Sequence, residues 1–376
     1  MTQPTTMNAQ EQFCWNMACP ARGQCGQGNI VIHSRCRPRY KCRTCGKTFS
    51  AATGTPFAGL RTDPLVVVIV ITLLAYGCPV QAVVQAYGLD ERTVADWRDR
   101  AGVHCEQVHQ AVIATAQLDL EHVQADEIRV KGRGWVAWMG LALMVSTRLW
   151  LGGVVQARRT QSLAVQLLQA VRACARCGCE VLVCVDGWSA YPKAILRAFR
   201  EKVARNGQRG RCRLEVWATL GIARLIKHTA GVFTLTRELV RGTPTWLAER
   251  LAISQGGLTI NTAFIERLNA TFRERLAVLT RRSRHAAKRL EALRPAMFLI
   301  GTVYNFCTMH HSLRLPNFDL PAAPRWHLRT PAMAAQLTHH CWTVEELLRF
   351  RVAPMPYVPP KRRGRPPKIH PLASTS

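Results

Sequence analysis

Acidic side chains are scarce in this chain: 23 Asp and Glu face 51 Lys and Arg over 376 residues, a formal charge of +28. A field of that sign repels cationic partners and attracts polyanions, and counterion release makes a phosphate backbone its natural target. An anionic membrane surface is the other polyanion of suitable charge. Long apolar runs are missing as well. The longest, 65–76 interrupted only by Thr72, is about half of the roughly 20 residues that a bilayer-spanning helix needs. The opening MTQPTTMNAQEQ has no apolar signal region, so the expectation is a protein that is not secreted. With 48% hydrophobic residues the chain is neither wholly disordered nor fibrous, and its length predicts two or three folded domains.

A disulfide framework is also lacking. The 15 cysteines are odd in number and mostly scattered, which in a reducing compartment marks thiols or metal ligands. Two close pairs stand out: Cys14-x4-Cys19 and, 22 residues later, Cys42-x2-Cys45 with Gly46 directly after. A Cys-x-x-Cys turn closed by glycine lets both sulfurs face one point, and two such turns complete the four-thiolate shell of a structural zinc. Cys25 and Cys36 lie between the pairs as rivals. The phrase RYKCRTCGKTF at 39–49 favours the outer four, because it reads as a strand leading into a metal-binding turn. From Gln12 to Thr62 there are eight basic residues and no acidic one, which makes residues 1–60 a zinc ribbon that lies on DNA.

Asp63-Pro64 is an N-cap followed by proline at the first helical position, and it predicts a helix through the apolar run to about Gly77. Residues 79–87 and 92–101, joined by the glycine-containing turn GLDE at 88–91, predict two short helices. Residues 61–115 therefore form an all-α helix-turn-helix whose second helix enters the major groove. Arg92, Thr93, Asp96, Arg98 and Arg100 are the candidate readers, with Trp97 assigned to the core.

Beyond residue 116 the few acids are informative by position. HVQADEI at 122–128 reads as a strand carrying Asp126 and Glu127 near its end, and neighbours on a strand face opposite sides, so only one of the two is expected to face a site. Apolar segments at 135–145 and 149–156 complete a three-strand meander, and a helix follows over 161–174. VLVCVDG at 181–187 suits a buried parallel strand with Asp186 at its carboxyl end, where open α/β sheets place ligand sites. Glu266 lies in a segment with helical periodicity through Phe264, Leu268 and Phe272, and that helix is predicted to continue into a basic tract. From Arg267 to Arg294 nine basic residues accompany two acidic ones. Two aspartates on adjacent strand ends with a glutamate on a neighbouring helix suit two Mg²⁺ ions (or Mn²⁺) about 4 Å apart, a pair fitted to in-line attack at phosphorus. Glu201, Glu215, Glu238 and Glu249 also lie between Asp186 and Glu266, and spacing alone does not choose among them.

RYKCRTCGKTFS followed by GTPF, VDGWSAYP around Asp186, NTAFIERLNATFRERL around Glu266 and YNFCTMHHSLR from Tyr304 together resemble the DDE transposases of bacterial insertion sequences. These belong to the ribonuclease-H-like integrase superfamily, and the subgroup resembled carries an N-terminal zinc ribbon and helix-turn-helix. The resemblance spans roughly 12–350. It implies a multidomain protein whose residues 116–312 form an α/β ribonuclease-H-like catalytic domain with a mixed sheet, followed by a helical extension over 313–353. It selects Asp126 over Glu127 and implies that Asp126, Asp186 and Glu266 bind Mg²⁺ and catalyse two-metal phosphoryl transfer. It further implies terminal-repeat and target DNA as partners, a homo-oligomer that pairs two element ends, and a cytoplasmic, nucleoid-associated bacterial protein.

Around this triad Arg267, Asn269, Arg273 and Arg275 are candidate DNA contacts, and His310 and His311 are assigned structural roles. Cys174, Cys177 and Cys179 lack an evident fourth ligand. The acid-free, Pro-rich tail from 354 contains KRRGRPPK at 361–368, whose Arg363 and Arg365 resemble an AT-hook lying in the minor groove. The alternatives to a transposase are a non-catalytic DNA-binding regulator or inactive relative, and a nuclease that cuts without joining ends.

Overall fold

A computed structural model of the chain describes residues 8–36, 38–203, 212–228, 233–280, 286–317 and 325–359. The basic tract 361–368, with Arg363 and Arg365, lies outside them. The chain divides into two compact units: one takes residues up to Thr53 together with the stretch from Ala353, and the other takes Gly54–Val352.

In the first unit β1 (Ile30–Ser34), β2 (Arg39–Cys42) and β3 (Thr48–Ser50) form an antiparallel sheet in that order. The alternation in β2 explains its pairing: Arg39 and Lys41 face solvent, while Tyr40 and Cys42 are buried. Tyr40 stacks on Phe49 across the strands with ring centroids 5.8 Å apart, in a core that also holds Cys14, Cys19 and Ile30. Gly46 adopts φ 69° and returns its N–H to the Cys42 carbonyl at 2.9 Å, a left-handed position that favours glycine.

The second unit begins with α1 (Pro64–Ala75), α2 (Val80–Tyr87) and α3 (Glu91–Val112). Asp63 caps α1 by accepting from Leu65 N, and Asp90 caps α3 by accepting from Arg92 N and Thr93 N. Gly88 closes α2 in the left-handed conformation. The predicted end of α3 at Ala101 is too early. Cys105 and Val108 continue its buried stripe, which packs along α8 (Leu293–Cys307), so tertiary burial carries the helix three further turns.

Next come β4 (Glu121–Lys131), β5 (Val136–Met144), β6 (Trp150–Gln156), α4 (Gln161–Cys174), β7 (Val181–Asp186), α5 (Ala190–Ala198), β8 (Arg200–Val203), β9 (Arg213–Val216), β10 (Leu220–His228) and β11 (Thr234–Arg241). Among the described residues the largest sheet has six strands in the order β11-β10-β7-β4-β5-β6. It is mixed: β7 runs parallel to β4 and β10, and the other neighbours are antiparallel. Val181 to Val185 are all buried because β7 sits between two strands with helices on both faces. Gly140 of β5 lies against Leu163 and Leu167 of α4, whereas Gly153 of β6 lies against Met297 of α8. Gly140 is opposite Glu127 in register, and Gly153 is opposite Leu141, itself opposite Asp126. Glu127 therefore belongs to the α4 face and Asp126 to the α8 face.

On the α8 face also lie α6 (Pro244–Ile253) and α7 (Ala263–Arg275). The helix predicted to run on from Glu266 into the basic tract stops at Arg275, because Leu276 turns to extended backbone and Leu279 is drawn into the core. The strands β12 (His310–Pro316) and β13 (Trp326–Arg329) and the short helices α9 (Pro331–Ala334) and α10 (Val344–Arg349) complete the unit. Among the described residues no helix is long and apolar enough to cross a membrane.

Candidate functional site

The parallel register of β4 and β7 pairs Glu121 with Val181 and ends at Ala125 with Val185. One step further, Asp126 stands beside Asp186 where β7 ends and β4 continues. Asp126, Glu127 and Asp186 offer carboxylate oxygens that all lie within 4.8 Å of one another. The expectation that only one of Asp126 and Glu127 can face the site is corrected here. They do leave β4 on opposite faces, but the neighbouring strand stops at Asp186, so both carboxylates reach the open end from either side. Asp186 also accepts from Trp188 N at 2.9 Å, which makes it a turn cap as well as a member of the cluster.

Each acid has a distinct surrounding. Burial, and then the charges of Glu127 and Asp186, push the Asp126 carboxyl up to about 7. Burial and Asp186 raise Glu127 too, against the opposing pull of Tyr191 and Arg159. The Tyr191 hydroxyl donates to Glu127 at 2.7 Å. Arg159 is ion-paired with Glu127 and lies 3.4 Å from Asp186, with its guanidinium 4.4 Å from the Trp188 ring centroid and 5.2 Å from that of Trp138. Sequence reasoning missed Arg159 and Tyr191. An arginine just before α4 and a tyrosine in the first turn of α5 carry no spacing signal.

From the other face, Asn269 Nδ2 donates to Asp126 Oδ2 at 2.7 Å. Asn269 is buried, so this predicted DNA contact sits inside the site, and its Oδ1 has no partner. Glu266 lies one turn earlier on α7 and stands apart from the three-acid cluster. It accepts from Lys227 Nζ at 2.5 Å and from the Thr262 hydroxyl at 2.8 Å. Burial works against its ionisation, yet Lys227, Thr262 and Arg273 hold its carboxyl below the ordinary range. Its charge still reaches Asp126. Of the alternatives, Glu238 is engaged by Arg224, and Glu201 and Glu215 are exposed on β8 and β9.

In the first unit Cys14, Cys19, Cys42 and Cys45 come together with all four sulfurs within 4.8 Å of one another. Cys14 Sγ lies 3.7 Å from Cys45 Sγ, and Cys19 Sγ lies 4.0 Å from Cys42 Sγ. Tetrahedral ligation with Zn–S of about 2.3 Å requires S···S separations of about 3.8 Å, close to these two distances, so the four sulfurs could hold a zinc ion. Burial raises the Cys14 and Cys19 thiols. For Cys45 burial is outweighed by the Lys47 N–H and the Asn16 side chain, which bring it down to about 7. Cys25 and Cys36 are exposed and outside this cluster, and Cys174, Cys177 and Cys179 form no metal-holding group among the described residues.

The other predicted contacts are dispersed. Arg92 and Arg267 are exposed, and Thr93 is half-buried. Arg98 pairs with Asp99 at 2.9 Å, and Arg100 with Asp96 at 2.8 Å. Arg275 is half-buried, stacks over Tyr76 and donates to the Thr308 hydroxyl at 3.3 Å, which gives it a packing role. His310 lies edge-on to Tyr304 with centroids 4.7 Å apart, and burial pushes it down to about 4, while His311 is exposed. No family model matches the chain, and no curated protein is significantly similar to it.

Proposed function

We propose that the chain is a DNA transposase that hydrolyses DNA at the ends of an insertion sequence and joins the freed 3′-hydroxyls to target DNA. The observation that carries this reading is the register that sets Asp126 beside Asp186 at a sheet's carboxyl end, with Glu266 on the helix bonded to Asp126. On this reading the sheet and its helices are a ribonuclease-H-like catalytic domain. Residues 1–60 are a zinc ribbon with Cys14, Cys19, Cys42 and Cys45 as ligands, and α2 with α3 is a helix-turn-helix. Residues 313–353 extend the catalytic domain, and the basic tail with Arg363 and Arg365 adds a minor-groove contact. Arg92, Thr93, Arg98, Arg267 and Arg273 face DNA, and two copies pair the two element ends.

The donor set at the sheet end fits a divalent cation. Three carboxylates crowd together, one of them pushed up to about 7 by burial and its neighbours, and the Asn269 carbonyl oxygen is buried without a partner. A cation relieves that crowding. When bound, Mg²⁺ supplies polarisation of the phosphoryl group and stabilisation of the attacking and leaving oxygens. Asp126, where β4 passes the end of β7, and Asp186 at that end would hold the ion together with Glu266 from α7, while Tyr191 and Arg159 keep Glu127 in place. Direct attack by water and then by the 3′-hydroxyl requires no covalent intermediate, and the tyrosine that touches the cluster, Tyr191, is buried with its hydroxyl donated to Glu127.

The test is incubation of the full chain with Mg²⁺ and the flanking DNA of its own gene. Cleavage at the ends and joining to a second duplex are expected, with both lost in Asp126→Ala, Asp186→Ala and Glu266→Ala. A protein that binds DNA with a steep salt dependence but never cuts it would instead be a regulator. Cutting without joining would make it a nuclease.

A further inference from the structure

An α-helix leaves its first N–H groups without intrahelical partners, and a side-chain oxygen just before the helix usually accepts from one of them. At α7 the Thr262 hydroxyl is occupied elsewhere, donating to Glu266 Oε1. Asn261 Oδ1 accepts from Ala263 N at 3.1 Å. The next two donors reach across to another element: Phe264 N and Ile265 N both donate to Gln124 Oε1 at 3.0 Å. Gln124 lies on β4, two residues before Asp126. The opposite end of the same amide, Nε2, donates to the Asn261 carbonyl at 2.9 Å and to Asn261 Oδ1 at 3.3 Å. Gln124 is fully buried, and both ends of its amide are used on the start of α7.

Strand alternation puts Gln124 and Asp126 on one face of β4. The helix start is fixed to the first of these residues, and Asn269, further along α7, is fixed to the second. Glu266 lies between the two ties. Rotation matters here, because a slip of one residue turns a helical side chain by about 100°. The geometry points to Gln124 as a positioning residue for the acidic site: a strand-borne cap that sets the rotation of the Glu266 helix against the Asp126 strand. This inference rests on the metal-site reading above. A neutral amide suits the position because it accepts two N–H groups and donates to a carbonyl while adding no charge beside Asp126.

The experiment compares Gln124→Leu, which removes both ends of the amide, with Gln124→Glu, which keeps the accepting oxygen. One readout needs no metal: amide hydrogen exchange at Phe264 and Ile265 is expected to accelerate in Gln124→Leu and to stay protected in Gln124→Glu, with α3 and α8 unchanged in both. The other is Mn²⁺ affinity of the full chain by calorimetry, well below its melting temperature. Glu266→Gln is expected to weaken Mn²⁺ binding about tenfold or more. Gln124→Leu should weaken it by a similar factor, and the double variant should lose little more than either alone. Wild-type exchange in Gln124→Leu, or losses of affinity that add in full, would overturn the positioning role. If Gln124→Leu does not fold, hydrogen exchange in Gln124→Glu decides, because its added charge makes Mn²⁺ affinity uninformative: unprotected Phe264 and Ile265 amides overturn the role, and protection supports it. If Glu266→Gln leaves Mn²⁺ affinity unchanged, the metal-site reading fails and the positioning role falls with it, while hydrogen exchange still tells whether Gln124 caps the helix.

Discussion

Asn269 Nδ2 donates to Asp126 Oδ2 at 2.7 Å, tying α7 to a carboxyl group whose ionisation the fold opposes. Burial and the charges of Glu127 and Asp186 raise Asp126 from its ordinary 3.8 to about 7. Between those values the folded state keeps a proton that the unfolded state has released, so stability falls as pH rises through the window. Asp126→Asn removes this penalty. Its melting temperature should match the wild type below 3.8, exceed it progressively up to about 7, and keep a constant lead above. The full lead should be roughly 1–3 kcal/mol, discounted because the site is partly open to water. Thermal melts of the metal-free proteins across that range check it, and a difference independent of pH would show that Asp126 is not the strained group.

Glu127 depends on Arg159. The Glu127 side chain is 2% exposed and that of Arg159 33%, so removing the arginine strands a buried charge. Loss of one partner of a buried pair costs about 3–5 kcal/mol, and the exposure of Arg159 reduces this to about 2. Arg159→Ala should therefore shift the urea midpoint markedly, and adding Glu127→Gln should recover most of the loss. Equal destabilisation of the single and double variants would show that Arg159 acts through its packing on Trp138 and Trp188.

What the sequence revealed depended on whether a signal was local. The α4 boundaries and the apolar β7 strand were legible from pattern alone, and the clustering of Cys14, Cys19, Cys42 and Cys45 from spacing. The end of α3 was not, because Cys105 and Val108 are held by α8, nearly two hundred residues away. Strand alternation predicts that only one of Asp126 and Glu127 faces the site, and the resemblance alone chooses Asp126; the alternation rule holds within a paired strand but fails to separate neighbours where the adjoining strand stops. Gln124 and Lys227 carry no local signal, since each acts through a partner on a distant element. The strands β8 and β9 are short and exposed on most residues, without the alternation that marks a strand.

The contact between α3 and α8 requires a glycine. A Cβ added to Gly102 would sit 2.2 Å from the Pro295 carbonyl oxygen, a backbone atom that cannot rotate away. In an open helix Gly→Ala stabilises by about 1 kcal/mol, whereas overpacking costs about 1–3 kcal/mol or more. The steric effect should win here, so Gly102→Ala should lower the melting temperature. A rise would mean that the two helices are not held this close.

The cysteine cluster gives a test that separates the two compact units. The first unit is small, and its core consists in part of the four clustered cysteines, so a zinc ion bound by them would supply a large share of its folding free energy, on the order of 10 kcal/mol. Purified protein should carry one zinc per chain. Cys42→Ala or a strong chelator should remove it and abolish the protected amides of β1 to β3, leaving the cooperative transition of the second unit, with its six-stranded sheet, in place. Cys25→Ala and Cys36→Ala, at exposed positions outside the cluster, should retain full zinc content. These controls separate ligation from general thiol chemistry, since loss of zinc in either would place the ligand set elsewhere. Retention of β1 to β3 in a zinc-free protein would show that the apolar contacts of Ile30, Tyr40 and Phe49 suffice without the metal.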